Sequence, residues 1–586
     1  MKSTNISKWL MLLVSVVAFS SCDITLYPED TITPDSYFRN ENDLQLFTNT
    51  FYTYLPGAEG IYADEADIII NPMLDDAISG QRIVPETSSN NLTGWGWTLL
   101  RQINYFLENS HNCPDEEVRN HYDGIAHFFR AYFYYCKVRT YGDVPWYDQV
   151  IGSADTDLLH KPRDSRKLVM DNVLKDLDFA IANLRTTQDV YRISKWSALA
   201  LKSRIMLFEG TFRKYHNLGD WEVCLQEAAE AAEEFMKSSG YGLLPSYEKL
   251  FTTLNATDTK AEVILARDYN NGVALRHSVQ NYTTSPTAGC GGVTRRLVDA
   301  YLMKDGTRHT DRAGYNTMSF VDECKNRDPR MAYTLRTPGY KISGKAAPAN
   351  LNSAKLGYQL RKYYIAPEYD GFSEIDLPIF RTAEVYLNYA EAKAELGTLT
   401  QSDLDKTVNA LRQRAGVTGK LMLDVEVDPW LKGCYPNLAS VNPSNMGVIL
   451  EIRRERTVEL VMEGLRYWDI MRWKEGKVFD EEFLGLYIAG PGTVDLDGDG
   501  APDANIATAT NPGNPNAGVA TFKIGENLTL ANGATDQGYL TLHSILKMNR
   551  QWNEERDYYY PIPKKDRVLT NGALAQNPGW NDGLGF

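Results

Sequence analysis

The chain has 586 residues, with 76 acidic against 61 basic side chains and a formal charge of −15. That balance offers no basic face for a phosphate backbone and excludes nucleic acid as a partner. Aromatic residues make up 11% of the chain, and 35 of them are tyrosines; such rings serve equally as core material and as platforms for sugar rings.

At the N-terminus, Lys2 and Lys8 precede an apolar run from Trp9 to Phe19, followed by Ser20, Ser21 and Cys22. This order predicts a secretory signal over residues 1–21. The run is shorter than the roughly 20 residues a membrane-spanning helix needs. The stretch Ala18-Phe19-Ser20-Ser21-Cys22 resembles a bacterial lipobox. It makes Cys22 the acylated first residue of a mature chain, 22–586, held to the outer membrane by lipid. The remaining six cysteines form no C-x-x-C pair and are expected mostly as free, buried thiols.

Amphipathic helices follow in pairs. Asp115-Glu116-Glu117 opens one that runs to Arg139, with Gly124 and Ala131 on a face that a neighbour can approach closely. Met170, Val173, Leu174, Leu177, Ala180, Ile181 and Leu184 form one apolar stripe, which predicts a helix over 166–184. Further helices are expected at 99–109, 196–212, 221–236, 382–396, 402–414 and 448–463. Such pairs read as degenerate tetratricopeptide-type repeats stacked into a solenoid. Stretches without helical period, about 55–94, 240–380, 420–446 and 485–540, are expected to form a large irregular part facing the ligand. The fold class is therefore mostly α, in a single domain with long insertions.

Several motifs occur in order along the chain: Arg130-Ala131-Tyr132-Phe133-Tyr134 leading to Tyr141-Gly142-Asp143-Val144-Pro145; Leu377-Pro378 through Arg381, Ala383-Glu384-Val385-Tyr386-Leu387; Arg453-Arg454-Glu455-Arg456 with Glu459, Glu463-Gly464 and Arg466 to Trp473; Tyr560-Pro561-Ile562-Pro563; and Gln576-Asn577-Pro578-Gly579-Trp580. Together they resemble the SusD/RagB family of outer-membrane lipoproteins. The resemblance implies a non-enzymatic, surface-held protein that binds a glycan, or in some members a peptide, and delivers it to a SusC-like TonB-dependent transporter. The motif residues themselves read as fold-holding: arginines and glutamates from Arg453 to Glu463 stand at i, i+3 and i+4 spacing, suited to ion pairs along a helix.

Asp495-Leu496-Asp497-Gly498-Asp499-Gly500-Ala501-Pro502-Asp503 fits a cation-wrapping loop. Alternating carboxylates at Asp495, Asp497, Asp499 and Asp503 suit calcium, and glycine permits the tight bend. No signature of a hydrolase or nucleotide-binding loop occurs, although a secreted hydrolase and a repeat scaffold remain the alternative readings. For the ligand, the candidates are aromatic residues on irregular segments, Trp95, Tyr282, Tyr315 and Tyr62, with Asp76 and Arg82 as polar partners. Trp95 reads as the freer ring, and Trp97 as packed at a helix start.

Overall fold

A computed structural model describes residues 37–62, 66–70, 82–89, 94–285, 292–543 and 550–586. The signal segment, Cys22, Asp76 and the side chain of Tyr62 lie outside the described residues.

The helices form where the apolar period and the caps agree. Asp115 accepts a hydrogen bond from the Val118 amide at 3.1 Å and starts Glu116–Tyr141. Gly142 ends that helix at φ 74°, a conformation that costs glycine little. Ser165 caps Arg166–Asn183, which packs against the first helix. Gly124 permits the approach: a Cβ there would sit 3.1 Å from Leu184 Cγ. Lys195–Tyr215 and Trp221–Ser238 pack as the next pair, and Thr382–Leu396 lies against them.

Two expected helices differ. The one at 402–414 breaks at Thr407 into Gln401–Lys406 and Val408–Ala415. The one at 448–463 stops at Glu459, because Met462 and Gly464 take positive φ and turn the chain into Arg466–Arg472.

The long intervals fold as a second layer of short elements. Val263–Arg267 pairs antiparallel with Leu377–Arg381. Gly492–Val494, Ala504–Ala507 and Ala520–Lys523 form a three-stranded sheet. Leu335, Tyr358, Leu360 and Ile506 belong to the apolar cluster beneath this layer, separate from the aromatic-rich cluster of the helices.

The arginines and glutamates of Met446–Glu459 pair mostly across elements, not along their own helix as expected. Arg330 reaches Glu455 at 2.6 Å and Glu459 at 2.8 Å, and Arg381 reaches Glu459 at 2.7 Å. Arg412 binds Glu455, and Arg456 binds Glu391. The helix is buried almost all round, so its charges meet partners from the elements packed on it. The pair along the helix is Arg454 with Glu451, at 3.3 Å.

Candidate ligand-binding site

The structure separates the sequence candidates. Trp95 is not the freer ring: it is 2% exposed, edge-on to Tyr141 at 4.9 Å and to Trp97 at 5.4 Å. Its glycine-flanked turn is covered by the Glu116–Tyr141 helix. Tyr282 is also a core residue, 5% exposed on the short helix Val279–Thr284. Arg82 is a structural tie: it donates to the Asp557 carbonyl at 3.1 Å and the Tyr467 hydroxyl at 3.0 Å, and lies 3.6 Å from the Tyr560 ring centre. Tyr315 alone of these rings stands half-buried in the irregular layer.

Arg295, which lies against Tyr315, lines a cleft of about 160 Å³ together with Asp67, Arg296, Asp299, Trp430 and Glu481 among others. Arg295 and Arg296 open the short helix Arg295–Ala300, and Trp430 comes from Pro429–Cys434, capped by Asp428. Arg295 donates to the Tyr315 carbonyl at 2.8 Å and pairs with Asp299 and Glu323. Its guanidinium lies 5.9 Å from the Tyr315 ring centre and 5.4 Å from that of Tyr539, which in turn meets Tyr487 at 5.4 Å. The three tyrosines are half-buried. The hydroxyls of Tyr315 and Tyr487 have no hydrogen-bond partner among the described residues, whereas that of Tyr539 donates to the Asn316 carbonyl at 2.8 Å.

Beneath the cleft, Asp299, His309 and Glu323 converge. Burial pushes Asp299 up to about 7, with Glu323 adding to the rise and Arg295 opposing it. Burial, then Arg327, Arg312 and Arg295, hold His309 down to about 3. Because Arg295 already reaches both carboxylates, the protein itself meets part of the cluster's negative charge, and the cluster fits a polar floor better than a cation site.

The aspartate loop joins Gly492–Val494 to Ala504–Ala507. Oxygens of Asp495, Asp497 and Asp503 lie within 4.8 Å of one another, while Asp499 stands apart and accepts from the Ala501 amide at 2.7 Å. Burial and then the charges of Asp497 and Asp495 raise the Asp503 carboxyl above its ordinary value. The loop is tied to the irregular layer, since Gly339 donates its amide to the Asp497 carbonyl at 2.8 Å.

A sequence profile described as "SusD family" matches residues 255–580, more than half of the chain. The chain belongs to the SusD family. A second profile, described as "Starch-binding associating with outer membrane", matches residues 75–207. A SusD-like protein of Formosa agariphila is 24% identical over 511 residues, covering 80% of this chain and 92% of the relative. A SusD-like carbohydrate binding protein from Bacteroides fragilis superposes with a TM-score of 0.68 at 20% identity, covering 91% of this chain and 98% of that one. Another SusD-like protein from Bacteroides fragilis gives 0.67 at 21% identity, with coverage of 94% and 100%. These structural likenesses are likenesses of fold.

The SusD motifs of this chain form clasps remote in sequence. Asn577 donates to the carbonyls of Tyr141 at 2.9 Å and Tyr560 at 2.7 Å, closing the C-terminus onto the Gly142-Asp143 turn. Arg466 pairs with Asp67 at 2.6 Å. The cleft residues Arg295, Arg296 and Trp430, and the rings of Tyr487 and Tyr539 beside them, escaped the sequence reading. No periodicity or spacing sets them apart, and they converge from segments up to 244 residues distant.

Proposed function

We propose that this SusD-family protein is a surface lipoprotein, anchored through Cys22, that binds a glycan without cleaving it and passes it to a TonB-dependent outer-membrane transporter. The observation that carries the glycan reading is the group of half-buried rings beside the cleft at Arg295, Tyr315, Tyr539 and Tyr487, with two phenolic hydroxyls unused among the described residues. Sugars present C–H faces that stack on rings and hydroxyls that accept and donate hydrogen bonds. The cleft volume of about 160 Å³ is below the roughly 300–1,000 Å³ of sites that enclose a drug-sized ligand. It would seat one unit of a chain, with neighbouring units over the tyrosines. A structural relative described as a carbohydrate binding protein, and a second profile described as associating with the outer membrane, support the reading. The lipobox-like end and the lack, among the described residues, of a helix able to span a membrane agree with lipid anchorage. Calcium belongs to the same proposal as a structural ion at Asp495, Asp497 and Asp503, where three crowded carboxylates suit a hard cation.

Calorimetry with a panel of oligosaccharides and peptides tests the site. Tyr315→Ala should weaken a bound glycan about tenfold, equivalent to about 1.4 kcal/mol, with the melting temperature little changed. Unchanged affinity in both Tyr315→Ala and Tyr539→Ala would remove the cleft from the binding face. Binding confined to peptides would replace the ligand class.

A further inference from the structure

A second feature of the irregular layer lies away from the cleft. The backbones of Leu335 and Leu360 form an antiparallel bridge, and both leucine side chains are fully buried. Side chains alternate across a strand, so the flanking Arg336 and Arg361 emerge together on the opposite face. The guanidinium of Arg336 lies 5.8 Å from the Tyr340 ring centre and 5.7 Å from that of Tyr364. That of Arg361 lies 4.5 Å from Tyr340 and 5.8 Å from Tyr333.

The two arginines differ in their partners. Arg361 is ion-paired with Glu248. The Arg336 guanidinium has neither an ion pair nor a hydrogen-bond acceptor among the described residues, and its Nε is sealed from solvent without a partner. The carboxylate of Asp370, which acts on it electrostatically, accepts instead from Gln280 at 2.8 Å. The hydroxyls of Tyr333, Tyr340 and Tyr364 likewise make no hydrogen bond among the described residues. The adjoining hairpin, Lys341–Ile342 with Lys345–Ala346, adds two exposed lysines. Although the chain carries −15 overall, this patch is locally cationic.

A guanidinium sunk between rings with no paired counter-ion carries a desolvation cost that the unpaired Asp370 carboxylate offsets only in part. Its donors form a planar fork that matches an oxyanion in two bonds. Burial, with Arg361 acting in the same direction, lowers its proton affinity, yet an arginine remains charged at any working pH. We propose that Arg336, framed by Tyr340 and Tyr364, is a subsite for the acidic group of a sugar: the carboxylate of a uronic acid or the sulfate ester of a sulfated residue. The rings cover the C–H faces of that sugar and the free hydroxyls meet its own. A single unpaired fork suits one anionic group on a sugar and not a continuous polyanion. The subsite rests on the glycan reading above and narrows its ligand to acidic glycans.

The test uses the full chain and four probes of matched length: a uronic acid oligomer, its carboxyl-reduced form, a sulfated oligomer and its desulfated form. The acidic member of one pair should bind at least tenfold more tightly than its neutral counterpart, and which pair shows this identifies carboxylate or sulfate. Arg336→Gln should abolish that preference and its salt dependence while the melting temperature stays unchanged. Arg361→Gln should reduce the preference less. Equal binding of acidic and neutral oligomers, unaffected by Arg336→Gln, would overturn the subsite and leave the glycan reading standing. Binding of acidic peptides alone, lost in Arg336→Gln, would overturn the sugar assignment. An absence of binding to every oligosaccharide would overturn both.

Discussion

Arg330 belongs to the charged interior beside the Met446–Glu459 helix, and Arg336, six residues later, belongs to the irregular layer. Arg330 is 1% exposed and bonds to Asp328, Glu455 and Glu459. Arg336 has tyrosine rings on two sides and no carboxylate paired with it among the described residues. The interior spends its charges on itself, holding helices to loops, whereas the irregular layer leaves phenols and a guanidinium uncommitted. In the proposal above, one polypeptide thus uses the same residue types for a scaffold and for recognition, and the distinction lies in whether a partner is already supplied.

The largest expected effect falls on the interior. Burial raises the proton affinity of Glu459, but Arg414, Arg381 and Arg330 overrule it and hold the carboxyl far below its usual range. Glu459→Ala leaves those guanidiniums buried and facing one another, and should lower stability by about 3–5 kcal/mol in urea denaturation. A loss under about 1 kcal/mol would mean the network is not the fold's charged scaffold. Trp95→Ala should cost a similar amount, about 3–5 kcal/mol, with glycan affinity retained in the folded fraction. Together with Tyr315→Ala, which should do the reverse, it separates a packed ring from a binding ring.

The pH dependence of stability is the next largest expectation. Burial keeps His216 and His309 near 3 in the folded chain, against 6.5 when unfolded. The unfolded chain takes up protons below 6.5 and the folded chain does not, so these groups lower stability as pH falls from 6.5 toward 3. Asp299 and Glu475, both raised by burial to about 7, act in the opposite sense. They hold protons in the folded chain between about 4 and 7, and their contribution is lost as pH rises through that window. His216→Gln should therefore make the acid-side decline shallower by about 1.4 kcal/mol per pH unit between pH 6 and 4. An unchanged slope would show that this histidine is protonated in the folded protein.

Much of the helical part was legible because caps and period coincide, as at Asp115 and Gly142. The break at Thr407 was not, since the apolar pattern continues through it. The aromatics were harder. Trp95 sits in a glycine-flanked turn that reads as open, and its burial is decided by Tyr141 on a helix 46 residues away. Tyr282 lies on a six-residue helix, too short for a period to reveal which face is inward. Arg330 and Arg336 are the same residue type on one segment, and the partner that distinguishes them, Glu459, is 129 positions from Arg330. Burial and pairing depend on contacts distant in sequence, which local patterns do not encode.

The smallest expected effect concerns the aspartate loop, and it bears on both regions at once. Extracellular calcium sites bind with Kd of about 10⁻⁴–10⁻³ M, so calcium at about 1 mM would add about 0.4–1.4 kcal/mol to the folded state. Chelation should lower the melting temperature of the wild type by no more than a few degrees, and that of Asp495→Asn/Asp497→Asn not at all. Equal sensitivity in both would place the ion elsewhere, and no sensitivity in either would argue against a stabilising ion. A second readout follows from the Gly339 amide, which donates to the Asp497 carbonyl at 2.8 Å. Gly339 precedes Tyr340, the ring shared by Arg336 and Arg361. If the ion stiffens the loop, chelation should also weaken acidic oligosaccharides while leaving Arg336→Gln, which lacks that preference, unaffected. Loss of stability without loss of affinity would instead confine the ion to bracing the sheet of Gly492–Val494 and Ala504–Ala507.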